Sequence, residues 1–326
     1  MARDLAPGEF VMGIDIGGTN IVAGVLDHKY NLVSRCKKKT HGKNRGQSAE
    51  ERVIRAANVA LEIARTPSLK AIGIGSPGPL DPVKGIIYDT PNLAWNNFPL
   101  ADTISKAFSV PCAVDNDVNM GTYGEWVFGD VKNCKDVLGV FPGTGIGGGI
   151  IIDGKMLQGF SGSAGEIGHM TIEVNGPFCG CGKRGCLEAV ASRIAIAEQV
   201  AALAARHDAP YILENCGTDL ANIRSSSLAK AIEAGDKKVE AVVRKAAYYL
   251  GIAVGNLVNV LSPEAVVLGG GLVEAMKDLY LQEVERGMKE HALPFVRKGV
   301  KLTAAKLGDD AVLMGAAKMV LERLKD

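Results

Sequence analysis

A strand, a glycine-rich turn and a second strand occur twice in this chain, and that recurrence limits the available folds more than any other feature. The first copy is Phe10-Val-Met-Gly-Ile-Asp-Ile-Gly-Gly-Thr-Asn-Ile-Val-Ala-Gly-Val-Leu-Asp27. An apolar run, a Gly-Gly break and a β-branched run read as a hairpin, and Asn31 to Lys39 can supply a third antiparallel strand. The second copy has a strand at Val137 to Phe141, a break at Gly143-Thr-Gly-Ile-Gly-Gly-Gly149 and a strand at Ile150 to Asp153. Two copies of one supersecondary unit imply two similar domains facing each other; the competing reading is two unrelated glycine-rich hairpins. A length of 326 residues accommodates two domains of about 150 residues each.

The remaining pattern is that of an α/β protein. Helical spacing of Val53, Ala56, Ala57, Ala60, Leu61 and Ala64 predicts a helix over Ala49 to Ala64. Further helices are expected at Leu100 to Phe108, Leu187 to Arg206, Lys237 to Leu261, about Leu272 to His291, and Ala311 to Leu324. Strands are expected at Lys70 to Gly75, Val110 to Val114 and Ala265 to Leu268. Lys plus Arg number 37 and Asp plus Glu 36, so the charge of +1 gives no electrostatic reason to expect nucleic acid or an anionic membrane as partner. Residues 1–9 lack the apolar core of a signal peptide, and no run of about 18 apolar residues suggests a membrane span. The expectation is a cytoplasmic protein. In a reducing compartment, seven cysteines with three crowded at Cys179, Cys181 and Cys186 favour a metal over disulfides.

Asp15-Ile-Gly-Gly-Thr-Asn20 places a carboxylate at a strand end, then Gly17 and Gly18, then the hydroxyl of Thr19. Glycines let backbone N–H groups approach phosphate oxygens closely, and Asp15 can hold magnesium through water. Thr19 and Asn20 can donate to phosphate oxygens. Gly143, Thr144 and Gly145 offer the same nest from the second copy. No G-x-x-x-x-G-K-[ST] occurs, and each glycine run leads into a strand, so neither turn is a P-loop or a dinucleotide fingerprint. Taken singly, each also reads as a tight hairpin tip. Gly269, Gly270 and Gly271 follow a strand and precede a helix, where they form a tight turn or let a flat base lie against bare backbone.

The most specific string is Gly165-Glu-Ile-Gly-His169 followed by Cys179-Gly-Cys-Gly-Lys-Arg-Gly-Cys-Leu-Glu188. One His and three Cys (His169, Cys179, Cys181 and Cys186) make a normal zinc set, and four protein ligands close the site, so the zinc is expected to be structural. Asp115-Asn116-Asp117 sits at a strand end before a helix. Residue chemistry alone favours an Asx turn or helix cap for Asp115 and a base for Asp117.

Asp15-Ile-Gly-Gly-Thr, the Gly143 to Gly149 run and Leu268-Gly-Gly-Gly resemble the two phosphate motifs and the adenosine motif of the sugar-kinase, hexokinase and actin-like ATPase superfamily. The string from Glu166 to Glu188 resembles the ROK signature without gaps, and the resemblance extends from Asp15 to the closing Gly315-Ala-Ala317. It implies an α/β, two-domain actin-like ATPase fold, a ribonuclease H-like duplication with a central cleft. The smaller domain would be residues 1–121 plus 311–326, and the larger, with the zinc knuckle, residues 122–310. The same resemblance implies that Glu166, His169 and Glu188 bind sugar hydroxyls, with His169 also a zinc ligand through its other ring nitrogen. Asn116 would bind a ring hydroxyl, and Asp117 would contact the sugar as catalytic base. Gly78 and Asn92 look like further sugar positions, which ordinary turn chemistry also explains.

The implied reaction is ATP-dependent phosphorylation of glucose at the 6-hydroxyl, with ATP and magnesium across the glycine turns. Alternatives are N-acetylglucosamine or N-acetylmannosamine as acceptor, and polyphosphate, which some relatives use, as donor. Other ROK members are sugar-responsive repressors with an N-terminal helix-turn-helix module; fourteen residues before Asp15 are too few for one. A homo-oligomer, dimer or tetramer, is expected by resemblance. The chain departs from the family in Val118-Asn-Met-Gly-Thr-Tyr123, which is bulkier than the usual small residues and touches the packing behind the base.

Overall fold

The computed structural model describes residues 5–40, 48–65, 68–90 and 93–324. Its first half runs β1 (Val11–Ile16), β2 (Asn20–Leu26), β3 (Leu32–Lys39), α1 (Ala49–Ala64) and β4 (Ile72–Ser76). A small sheet of β5 (Leu80–Asp81), β6 (Ile86–Thr90) and β7 (Trp95–Phe98) follows, then α2 (Leu100–Phe108), β8 (Cys112–Asn116) and α3 (Asp117–Phe128). The second half contains β9 (Val137–Pro142), β10 (Ile146–Ile152), β11 (Lys155–Met156), α4 (Leu187–Ala191), α5 (Arg193–Ala205), α6 (Pro210–Asn215) and α7 (Ser225–Glu233). It ends with α8 (Lys237–Leu261), β12 (Ala265–Leu268), α9 (Gly271–Ala275), α10 (Lys277–His291), β13 (Lys301–Ala304) and α11 (Ala311–Arg323).

The two five-stranded sheets have the orders β3-β2-β1-β4-β8 and β11-β10-β9-β12-β13. In each, an antiparallel meander continues through two parallel strands: β1 pairs parallel with β4 and β4 with β8, as β9 does with β12 and β12 with β13. The recurrence seen in the sequence is therefore a duplication of topology, and the protein has the two-unit actin-like ATPase architecture.

Local chemistry explains the elements that frame the cleft. Ser48 and Glu51 form a reciprocal capping box that starts α1, whose buried face is Val53, Ala56, Ala57 and Ala60. β1 is apolar on both faces because helices cover both: α1 lies near one, and α11 rides on the other. The α11 approach is backbone to backbone. A Cβ on Gly13 would stand 2.0 Å from Leu313 O, and one on Gly73 would stand 1.9 Å from Ala316 O. α3 packs against α11 and also against β9 and β10, so one helix touches both sheets; the expected domain division between residues 121 and 122 falls inside it.

Three expectations need correction. The break after β9 is only Gly143 to Gly145, because Gly147, Gly148 and Gly149 are strand residues of β10. Gly147 and Gly149 face α3, where a Cβ would meet Val118 Cγ2 at 2.4 Å and Thr122 Oγ1 at 2.2 Å, while a Cβ on Gly148, on the opposite face, would meet Ile167 Cδ1 at 2.7 Å. The bulky α3 residues that depart from the family pattern are thus matched by bare strand backbone. The single helix over Leu187 to Arg206 is two, broken at Ser192, whose extended backbone and hydroxyl cap α5 at Ala195 N. The helix over Leu272 to His291 is likewise two, broken at Met276 (φ −142°, ψ 48°). Among the described residues no helix is long and apolar enough to cross a membrane.

Candidate active site

The cleft between the two meanders holds a cavity of about 680 Å³. Its walls bring together Gly18, Gly78, Asn116, Asp117 and the turn Gly143-Thr144-Gly145 with Glu166, His169 and Glu188. These residues come from both sheets, so the sequence-predicted acid–base, sugar and phosphate groups share one space. Asn92 lies outside the described residues.

The first glycine turn is held by Gly17 N–H donating to Asn20 O at 2.9 Å and by Thr40, whose hydroxyl donates to Gly17 O at 2.6 Å. Gly18 and Thr19 stay exposed at the tip, with their N–H groups outside the meander's ladder. The second turn closes with Gly143 N–H donating to Gly145 O at 2.8 Å. A link absent from the sequence reading ties it to the sugar side: Glu188 Oε2 accepts from Ile146 N–H at 3.0 Å. A Cβ on Gly145 would come 2.3 Å from that same oxygen, so glycine is required there.

Asn116, not Asp115, caps α3: its Oδ1 accepts from Val118 N–H at 2.8 Å and Asn119 N–H at 3.1 Å. Its Nδ2 remains for a ligand. Asp115 is fully buried and bonds Asn119 Nδ2 at 3.0 Å, Gln158 Nε2 at 2.8 Å and Arg323, whose guanidinium also donates to Pro82 O and Val114 O. The expected cap at Asp115 fails because its side chain turns into this network beneath the site. Asp117 Oδ1 accepts from Val118 N–H at 2.9 Å. Burial pushes the Asp117 carboxyl up; its bond to Val118 opposes this, and Glu166 adds repulsion. Although surrounded by protein atoms, Asp117 still lines the cavity.

The donor side has two further cavities. One, of about 380 Å³, is lined by Asp15, Gly17 to Asn20, Gly270 and Gly271. The other, of about 800 Å³, meets Thr19, Asn20, Gly271, Ser225 and Ser226. Gly270 has φ +81° and Gly271 opens α9, so both present backbone to these spaces. Gly269 lines neither: a Cβ there would meet Phe141 Cε1 at 2.4 Å, and its role is to seat that ring. Phe141 borders both the acceptor cavity and one donor cavity, and nothing in the strand pattern singled it out. Burial raises Asp15 to about 7, with Asp117 and Asp309 adding to the rise and Arg35 and Lys37 opposing it. A carboxylate kept this unfavourable beside a second one suits a site that a divalent cation completes.

His169, Cys179, Cys181 and Cys186 meet as expected, with their ligand atoms all within 4.8 Å of one another. Cys179 Sγ is 3.7 Å from His169 Nδ1, and Cys181 Sγ is 3.7 Å from Cys186 Sγ. Sulfurs about 2.3 Å from a tetrahedral zinc would be about 3.8 Å apart, so the donor set fits that ion. His169 Nε2 faces the other way, 3.9 Å from Glu166 Oε2. One ring thus spans the cysteine cluster and the cavity.

Known proteins resemble this chain in sequence and fold. The model of the ROK family matches residues 11–323. A glucokinase of Halalkalibacterium halodurans is 34% identical over 315 residues, covering 96% of this chain and 95% of that relative. The crystal structure of a ROK family glucokinase from Streptomyces griseus in complex with glucose and AMPPNP matches with a TM-score of 0.81 at 31% identity, covering 95% of this chain and 98% of that one. A xylose repressor of Caldicellulosiruptor bescii is 33% identical over 260 residues, 79% of this chain and 64% of the repressor. A family match over residues 11–323, joined to relatives similar over nearly the whole length and to the duplicated sheets described above, makes this chain a member of the ROK family.

Proposed function

We propose that the protein is a hexokinase of glucokinase type, transferring the γ-phosphoryl group of ATP to the 6-hydroxyl of glucose. The carrying observation is the single cavity in which Asp117 faces both a polyol-binding set and the glycine turns. Glu166 and Glu188 offer carboxylate oxygens to sugar hydroxyls, Asn116 its free amide N–H and His169 its Nε2. Asp117 accepts the proton of the attacking hydroxyl, and burial raises its carboxyl, which makes it a stronger base than an exposed aspartate. Phosphoryl transfer needs alignment and charge stabilisation more than covalent chemistry, and the two turns supply backbone N–H groups for both. Asp15 would hold magnesium through water, and that ion would neutralise phosphate oxygens. Zinc held by His169 and the three cysteines would fix the ring's direction toward the sugar.

The domains we propose are residues 1–121 with 311–326 and residues 122–310, joined through α3; the packing of α11 on β1 and β4 supports this division. A cytoplasmic, homo-oligomeric enzyme is part of the same reading. The test is ADP production with Mg-ATP against glucose, mannose, fructose, N-acetylglucosamine and N-acetylmannosamine. Strongest turnover with glucose is expected. Preference for an acetamido sugar would keep the mechanism and change the acceptor. Failure with every sugar, with ATP and with polyphosphate, would overturn the kinase reading in favour of a sugar-binding role like that named for the repressor.

A further inference from the structure

Among the described residues, three cations on the donor side of the cleft have no carboxylate ion-pair partner. Arg193 begins α5, and its backbone N–H donates to Gly143 O at 2.9 Å. Its guanidinium donates to Thr144 Oγ1 at 3.2 Å and to Ile223 O at 3.3 Å. Arg224, the next residue after Ile223, donates to Ala221 O at 3.5 Å. Lys39 ends β3 opposite Asn20. All three line the cavity of about 800 Å³ that also meets Thr19, Asn20 and Gly271. Glu274 shares that wall, yet the ion pairs of the described residues engage other cations, such as Arg35 with Asp310, Lys306 with Asp130 and Arg323 with Asp115. Arg193 is held below its ordinary value, first by burial and then by the charge of Arg224. Two guanidinium groups thus repel each other in one recess.

Like charges gathered without a counter-ion disfavour the protein alone and become favourable when a polyanion enters. The glycine turns offer N–H dipoles but no net charge, and the chain has no P-loop lysine. A nucleoside triphosphate keeps net negative charge even with one divalent cation bound. We propose that Arg193 and Arg224, with Lys39 from the opposite sheet, clamp the phosphate chain of the phosphoryl donor, and that Arg193 also orients the Thr144 hydroxyl within the second turn. The clamp rests on the kinase reading of this cleft. It reads phosphate charge and leaves the base unread.

The experiment is calorimetric titration of the purified full chain, with magnesium present, by adenosine, AMP, ADP and AMPPNP. The proteins are wild type, Arg193→Gln, Arg224→Gln and the double variant. Glutamine can keep a hydrogen bond to Thr144 while removing the charge. The Arg224 side chain hydrogen-bonds Ala221 O and not Thr144, so its replacement removes no hydrogen bond of the second turn. Each single variant should lose about tenfold of the affinity gained between adenosine and AMPPNP, as expected for one charge-assisted contact, and should keep wild-type affinity for adenosine. The dependence of AMPPNP binding on ionic strength should weaken in parallel. Variants that keep the full wild-type gain, or that lose adenosine and AMPPNP equally, overturn the clamp and leave the kinase reading standing. A wild-type protein that binds no member of the series overturns both the clamp and the choice of ATP as donor.

Discussion

Asp15→Asn should stabilise the metal-free protein above neutral pH, even though it removes the carboxylate proposed to hold magnesium. Burial, with help from Asp117 and Asp309, raises the Asp15 carboxyl from 3.8 to about 7. Holding it at about 7 instead of 3.8 corresponds to about 4 kcal/mol of lost stability once the group is charged. Because the group borders the cleft, solvent screening reduces this to about 2–4 kcal/mol. Below about pH 4 the carboxyl is protonated in both folded and unfolded chains and contributes nothing. Between about pH 4 and pH 7 the folded protein keeps a proton that the unfolded chain has lost, so stability falls as pH rises. Above about pH 7 the penalty is constant. Asparagine carries no charge and escapes it. In thermal unfolding with EDTA, the variant should melt about 5 °C above wild type at about pH 8, and the gap should shrink at about pH 5. Magnesium should narrow the gap at the higher pH by stabilising wild type. A gap that ignores pH, or a variant less stable than wild type at about pH 8, would refute the reasoning.

Asp117→Asn should leave glucose binding intact and lower kcat by roughly 10²–10⁴-fold, read from initial rates and equilibrium titration; near-normal turnover removes Asp117 as base. Cys181→Ser should lose bound zinc in elemental analysis and raise KM for the sugar, since His169 Nδ1 faces the cluster while Nε2 faces Glu166. An unchanged KM in zinc-free protein would end the positioning role. Gly145→Ala should raise KM for both substrates by displacing Glu188, whose oxygen a new Cβ would approach at 2.3 Å; unchanged kinetics would separate the turn from the sugar acid. Gly73→Ala should destabilise the fold by about 1–3 kcal/mol or more in urea unfolding, because Ala316 O stands 1.9 Å from the new carbon and α11 must lift.

The parts of the molecule legible in the sequence were those with short-range signatures. Apolar and β-branched runs marked β1 to β4 and β9, and the helical apolar spacing marked α1 from Ala49 to Ala64. The cysteine spacing brought four ligands together as expected. What stayed hidden depended on contacts distant in sequence. The glycines of β10 look like a loop until their neighbours are in place: Val118 and Thr122 of α3 explain Gly147 and Gly149, and Ile167 on the other face explains Gly148. Ser192 looks like an ordinary helical residue until its place beside Gly143 makes it a cap. Asp115 carries the same local signal as Asn116, and its burial with Arg323, more than two hundred positions on, decides which of them caps α3. Arg193 and Phe141 had no signal of their own, because their surroundings arise only when the two sheets face each other.

The placement of α11 has a consequence for how the chain is made. Synthesis delivers β1 to β4 before the second sheet, yet the helix that sits directly on Gly13 and Gly73, and buries Val11 and Ala71 against Ala317 and Val320, leaves the ribosome after that sheet. The second sheet and its helices can therefore settle while the first sheet still waits with a bare apolar face. Vectorial folding in this protein runs against chain order: the half translated first is completed last, and until then its uncovered strands are the surface that a nascent-chain chaperone would shield.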